Sequence, residues 1–260
     1  FFLIGYTRTD EAIHNAFLQL KLNIIGGIAF IVAIAVFVCD QHVVEMDKLL
    51  ECGLSGIDVV LPVALLCLAG IVKAAQMPFQ SWLLGAMVAP TPTSALLHSS
   101  TMVKAGVFLL LKLAPLLGKD IVGYAVMTVG ALTFLLASMA AVSQSNAKRV
   151  LAYSTIANLG LIVACAGVGT YEAVWAGILL MIFHAITKSL MFLSVGTAEH
   201  HIGSRNIEDM DGLFERMPRL AAIMIIGIAG MFLIPFGMLI SKWAALTTFV
   251  ESENLVLIAC

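Results

Sequence analysis

Six basic side chains, Lys73, His98, Lys104, His184, Lys188 and Lys242, stand within or near the middle of apolar stretches, and no Asp or Glu stands beside them there. A cation at bilayer depth costs at least about 2.5 kcal/mol on insertion scales, so a lysine in such a place marks an ion or proton path by default. Burial disfavours a charged amine and a neighbouring cation disfavours it further, which suits these lysines to gaining and losing protons. His184 and Lys188 are four residues apart on one helical face, so a proton could pass between them directly or through one water. His98 and Lys104, six apart, are expected on different faces of one helix, each with its own partner.

Blander roles compete for each residue. A lone histidine in a span is equally a hydrogen-bonded core residue, and Lys21 and Lys112, nearer helix ends, are expected to snorkel to the headgroups. Lys73 and Lys104 resist that reading, because about two or more apolar turns separate each from a polar boundary. Lys148 and Arg149 open a helix where topology alone explains them, although Lys148 could also gate the access of ions. Glu172, Asp58 and Asp120 read as headgroup-level residues, so the carboxylate that a buried cation usually requires is expected upstream of Phe1 or on another subunit.

The elements that must position these groups are helices in lipid. The chain is 61% hydrophobic and 12% charged, against roughly 45 to 50% and 25% in soluble domains, and its mean hydropathy is +1.03. A soluble fold is excluded. No ten-residue alternation suggests a barrel, so the expectation is an all-α polytopic transmembrane bundle forming one domain over residues 1–260. About seven spans are expected, near 17–39, 57–88 (interrupted), 94–116, 121–143, 149–169, 173–198 and 219–249 (interrupted), since roughly 20 apolar residues cross a bilayer core. Tight turns are expected at 118–120, 143–148 and 169–170, and 40–56 is long enough for a surface helix.

Alternating the loops places Arg8, Lys148, Arg149, Arg205, Arg216 and Arg219 on one side and Lys48 and Lys119 on the other, so the first side is cytoplasmic. Pro78 and Pro235 are expected to break the helices carrying Lys73 and Lys242, giving corresponding half-helices in two inverted repeats, a pointer to a transport site. Pro90-Thr91-Pro92 reads as a turn.

A net charge of −2 leaves no electrostatic footprint for nucleic acid. Cys39, Cys52, Cys67, Cys165 and Cys260 form no CxxC or Cys/His pairing, so no zinc, haem or iron–sulfur site is expected in this chain. Phe1 to Tyr6 lacks the basic start of a signal peptide, and both ends read as cut helices, so the chain is expected to be an internal fragment of a longer protein.

VKAAQMPFQSWLLGAMVAPTPTSALLHSSTMVK (72–104), NAKRVLAYST (146–155), FHAITKSLMFLSVG (183–196), EHHIGSRNI (199–207) and Ser241-Lys242 closely resemble the antiporter-like membrane subunits of respiratory complex I, Mrp-type sodium/proton antiporters and energy-converting NiFe hydrogenases. The resemblance implies that Lys73 is the lysine of a first half-channel, that Lys104 is a bridging lysine and His98 a histidine on that same helix, that His184 and Lys188 form the pair of the connecting helix, and that Lys242 serves the exit half-channel. It also implies a glutamate upstream of Phe1 that pairs with Lys73. Two departures stand out: a single Pro235 after Ile234 where paired prolines are common, and Leu180 where many members carry a histidine.

QSWLLGAMVAP and PFGMLISKWAAL look most like the hydrogenase-associated branch, whereas EHHIGSRNI is reminiscent of the Mrp branch. The function this implies is translocation of H⁺ or Na⁺ as a membrane subunit of a redox-driven complex, such as an energy-converting hydrogenase or a complex I-like NADH dehydrogenase, in a prokaryotic inner membrane. No redox site is expected in the chain itself. Iron–sulfur, NiFe or flavin centres would belong to partner subunits. The alternatives are a subunit of an Mrp-type secondary antiporter and a structural membrane anchor.

Overall fold

The computed structural model describes residues 1–41, 48, 57–118, 120–232, 237–252 and 257. Among them the chain is helical, without strands: α1 (Asp10–Val36), α2 (Ile57–Lys73), α3 (Ser81–Gly85), α4 (Thr91–Ser99), α5 (Met102–Leu117), α6 (Ile121–Val142), α7 (Ala147–Val168), α8 (Tyr171–Ile202), α9 (Leu213–Arg216), α10 (Pro218–Phe232) and α11 (Gly237–Glu251). Six helices or helix pairs are long and apolar enough to cross a membrane, and Val59–Lys73 is a shorter apolar helix. The protein is an integral membrane helix bundle. Most of 40–56, Lys119 and Pro235 lie outside the described residues, as does the Asp58 side chain.

Local chemistry sets the helix ends. The Thr9 hydroxyl accepts from Ala12 N (3.2 Å), Asn146 Oδ1 from Arg149 N (3.2 Å) and the Thr170 hydroxyl from Ala173 N (3.3 Å), so α1, α7 and α8 each open on a side-chain cap. Gly169 (φ +70°) and Gly203 (φ +79°) close α7 and α8 in the left-handed conformation that glycine adopts without penalty. α8 therefore runs on to Ile202 and takes Glu199 into the helix, although the sequence places that residue in the loop.

The expected unbroken span over 94–116 is two helices. Its ladder opens at Ser100-Thr101, where Thr101 N reaches back five residues to Leu96 O (3.3 Å) and the Thr101 hydroxyl takes the same carbonyl (3.0 Å). Hydroxyls that compete for helical carbonyls bend helices in this way, and the break falls between His98 and Lys104.

α7 is the central helix. In its most apolar stretch 83% is buried, against 22% in α1. It meets α6 through Gly160 and Gly130: a Cβ on Gly160 would sit 2.7 Å from Gly130 O, and one on Gly130 2.5 Å from Ala164 N. Small residues allow this approach where lipid offers no hydrophobic drive. At one end of the bundle Glu11, Asn146, Arg149 and Arg205 line one cavity, while Glu172 and Glu251 share a cavity at the other.

Candidate functional site

Lys73 is the last residue of α2. The helix ends there because Ala75 adopts φ +52°, so that Ala75 N donates to Val72 O (3.1 Å) and Gln76 N to Ile71 O (3.1 Å), the paired bonds of a Schellman cap. Trp82 Nε1 also donates to Val72 O (3.2 Å) and fixes α3 against this end. The break therefore begins five residues before Pro78, on a non-glycine left-handed residue, a strained geometry that clusters at functional sites. Lys73 Nζ donates to Asn23 Oδ1 of α1 (3.3 Å) and faces a cavity of about 430 Å³ lined also by Gly26, Gly106 and Lys112. A cation in the last turn complements the negative end of the helix dipole.

Four groups gather along α8. Lys104 Nζ crosses from α5 to Met181 O (2.7 Å), and Lys188 Nζ donates to Leu151 O of α7 (3.1 Å) and to the Ser154 hydroxyl. The His98 ring lies 4.7 Å from the Phe192 ring, centroid to centroid. His98 and Lys104 meet different residues, Phe192 and Met181, and both partners lie on α8. His184 lies within electrostatic range of Lys104, Lys188, His98 and Lys242. Both imidazoles are fully buried, and none of their four ring nitrogens has a hydrogen-bond partner. Buried polar groups are nearly always satisfied by protein or water, so these four nitrogens are unusual for the core of an apolar bundle.

Asn158 joins this group by register. Gly177 abuts Ile162 and Cys165, and Lys188 reaches Leu151 and Ser154, which in antiparallel helices sets His184 level with Thr155 and Asn158. Asn158 Nδ2 donates to Ser154 O (2.7 Å), while its buried Oδ1 is unpartnered. Leu180, one turn before His184, is fully buried and apolar, so it supplies no proton carrier.

Lys242 of α11 points back to the carboxyl end of α10, donating to Met231 O (3.4 Å) with the Phe232 ring 5.1 Å away. It shares with Lys73 a place at the negative end of a half-helix.

Lys148 is buried, and topology alone does not account for it. Its Nζ stands 2.7 Å from Glu199 Oε2, with Arg205 Nε 2.5 Å from Oε1 on the other side. Ala147 N donates to Arg205 O (2.9 Å) and Ile207 N to Ser145 O (2.9 Å), tying the chain beyond α8 to the start of α7.

The family profile described as "NADH:quinone oxidoreductase/Mrp antiporter, TM" matches residues 1–260. The chain belongs to this family. An antiporter subunit, mnhA2, of Staphylococcus aureus (strain USA300 / TCH1516) is 36% identical over 260 aligned positions, covering 91% of this chain and 32% of the relative. Its Staphylococcus epidermidis counterpart is 34% identical over 255 positions, with the same coverage. Two solved structures superpose with a TM-score of 0.89. One belongs to the membrane-bound sulfane sulfur reductase, an archaeal respiratory membrane complex (29% identity, 99% of this chain and 54% of that chain). The other belongs to the Mrp complex of Dietzia sp. DQ12-45-1b (32% identity, 98% and 29%). The chain spans about a third of the length of these curated relatives.

Several side chains at the site of this family member escape sequence reading. Asn23 and Asn158 lie in runs that count as uncharged, although a lone amide inside an apolar helix is itself a signal. Ser154 gives no such sign, since serine is common in membrane helices. Gly203 is the usual mark of a helix end and could have placed Glu199 in α8.

Proposed function

We propose that this chain is an ion-translocating subunit of a multisubunit membrane complex, carrying protons along Lys73, Lys104, His98, His184, Lys188 and Lys242. One observation carries the reading: amines and imidazoles from α4, α5 and α8 converge in the buried core with no carboxylate among these four groups, and the imidazole nitrogens there are unpartnered. An ammonium at one station gives its proton to water, and water gives one to the next neutral amine or imidazole; no covalent intermediate is needed. Moving one charge against 100 mV requires about 2.3 kcal/mol, so a partner process must supply that bias.

Two drives are compatible with this path. Exchange against a second ion, for which we take sodium, is supported by the antiporter names of the staphylococcal relatives and by the Mrp complex, and a redox drive by the archaeal respiratory complex. In the second case iron–sulfur, NiFe or flavin centres would sit in partner subunits. In vesicles holding the full complex, Lys73→Ala is expected to stop proton movement with assembly unchanged, and wild-type movement in that variant contradicts the proposal. Flux on a sodium gradient without an electron donor selects the exchange reading; flux only with a donor selects the redox one.

A further inference from the structure

The mid-membrane stations need a route to water, and the geometry points to Glu199 as the group that collects protons at the basic end of the bundle and passes them through Lys148 to Lys188. This rests on the proposed function above. A cavity of about 750 Å³ opens at this end, lined by Thr91, Lys148, Gly196, Glu199, His200 and Arg205. The Glu199 side chain is 18% exposed, whereas that of Lys148 is 3% exposed, so the pair has a wet member and a dry member. The dry member stands close in register to the relay. Lys148 and Leu151 are three residues apart on one face of α7, and Leu151 O holds Lys188 Nζ at 3.1 Å. One helical turn, roughly 5 Å of rise, therefore separates the ion pair from the anchor of the first mid-membrane amine.

The surroundings keep the carboxylate in place. Arg205 holds Oε1, and the Thr91 hydroxyl stands 3.5 Å from Oε2. α8 lies against the start of α4 so closely that a Cβ on Gly196 would come 2.0 Å from Thr91 Cγ2. His200 lines the same cavity, and its ring lies 5.9 Å from that of His201, so these are the other titratable side chains at the mouth. One oxygen of Glu199 is committed to Lys148 and the other to Arg205.

The transfer balances without electrons. A proton from cavity water adds to Glu199 Oε2 and frees the Lys148 ammonium. That ammonium gives its proton, across intervening water, to a neutral Lys188 amine. The neutral Lys148 amine then takes the proton from the Glu199 acid, and the ion pair is restored with one proton moved inward.

The test uses the full complex in vesicles with a trapped pH-sensitive dye. Glu199→Gln is expected to slow proton flux at least about tenfold, the low end of what a positioned proton carrier supplies, and Glu199→Asp is expected to keep most of it. A purely structural latch is separated by the double variant Lys148→Gln/Glu199→Gln, which leaves no buried charge alone and costs a partner only to Arg205, whose side chain is 45% exposed. The relay predicts that it stays slow; recovery of flux would overturn the inference, as would wild-type flux in Glu199→Gln. If Glu199→Gln assembles poorly, the double variant decides. Lys188→Met is the control for the underlying reading: full flux in Lys188→Met removes the relay altogether, whereas a silent Lys188→Met beside a fully active Glu199→Gln removes only the role of Glu199.

Discussion

Lys148 and Lys188 occupy adjacent helices about one turn apart in depth, and their environments differ in kind. Lys148 has a carboxylate at 2.7 Å and an open cavity beside that carboxylate. Lys188 is fully buried and has a carbonyl and a hydroxyl, both neutral. Lys104 repeats the second pattern with Met181 O. A carboxylate offsets a charge, so its lysine gives up a proton only once that carboxylate is protonated, whereas neutral acceptors solvate an ammonium without committing it. The basic end thus holds a paired charge and the buried core a set of basic groups held by neutral partners.

Variants can break or sharpen that contrast. The largest effect is expected at an interior amine: Lys104→Met should lower proton flux about a hundredfold in vesicles while leaving the melting temperature of the complex nearly unchanged, because the loss is of a carrier and not of an ion pair. At the basic end a loss of stability is expected to accompany the loss of flux. Lys148→Met orphans Glu199 between Arg205 and the cavity, and thermal unfolding should show a loss of about 2 kcal/mol, at the low side for breaking a buried pair because Glu199 is partly wet. Ser154→Ala, which takes the hydroxyl from Lys188 and leaves Leu151 O, should cost about 1 kcal/mol of support for the ammonium and change flux several-fold. Asn23→Ala should act least, about twofold in flux, since its bond to Lys73 is long at 3.3 Å and half-exposed.

Much of the scaffold was legible in the sequence, because hydrocarbon imposes one rule on every span: the backbone must satisfy itself and the side chains must be apolar. The six basic residues were legible for the same reason, as violations of that rule. What escaped depends on local backbone choices or on contacts distant in sequence. Nothing in Lys73-Ala74-Ala75-Gln76 announces that an alanine will take φ +52° and end α2 before Pro78 is reached. The opening at Ser100-Thr101 arises from hydroxyls competing for Leu96 O, an outcome that propensity leaves open. Lys148 and Glu199 are 51 residues apart, so their pairing follows from the antiparallel packing of α7 on α8 and from no motif. Asn158 is similar: an amide of no apparent consequence until register sets it level with His184.

The most direct test of the account compares proton flux in vesicles carrying equal amounts of assembled wild-type complex and of Lys188→Met. In the proposed relay the amine at that position connects the basic end to the buried imidazoles, so the account predicts a silent variant that is as stable as the wild type. A variant that pumps at the wild-type rate contradicts it.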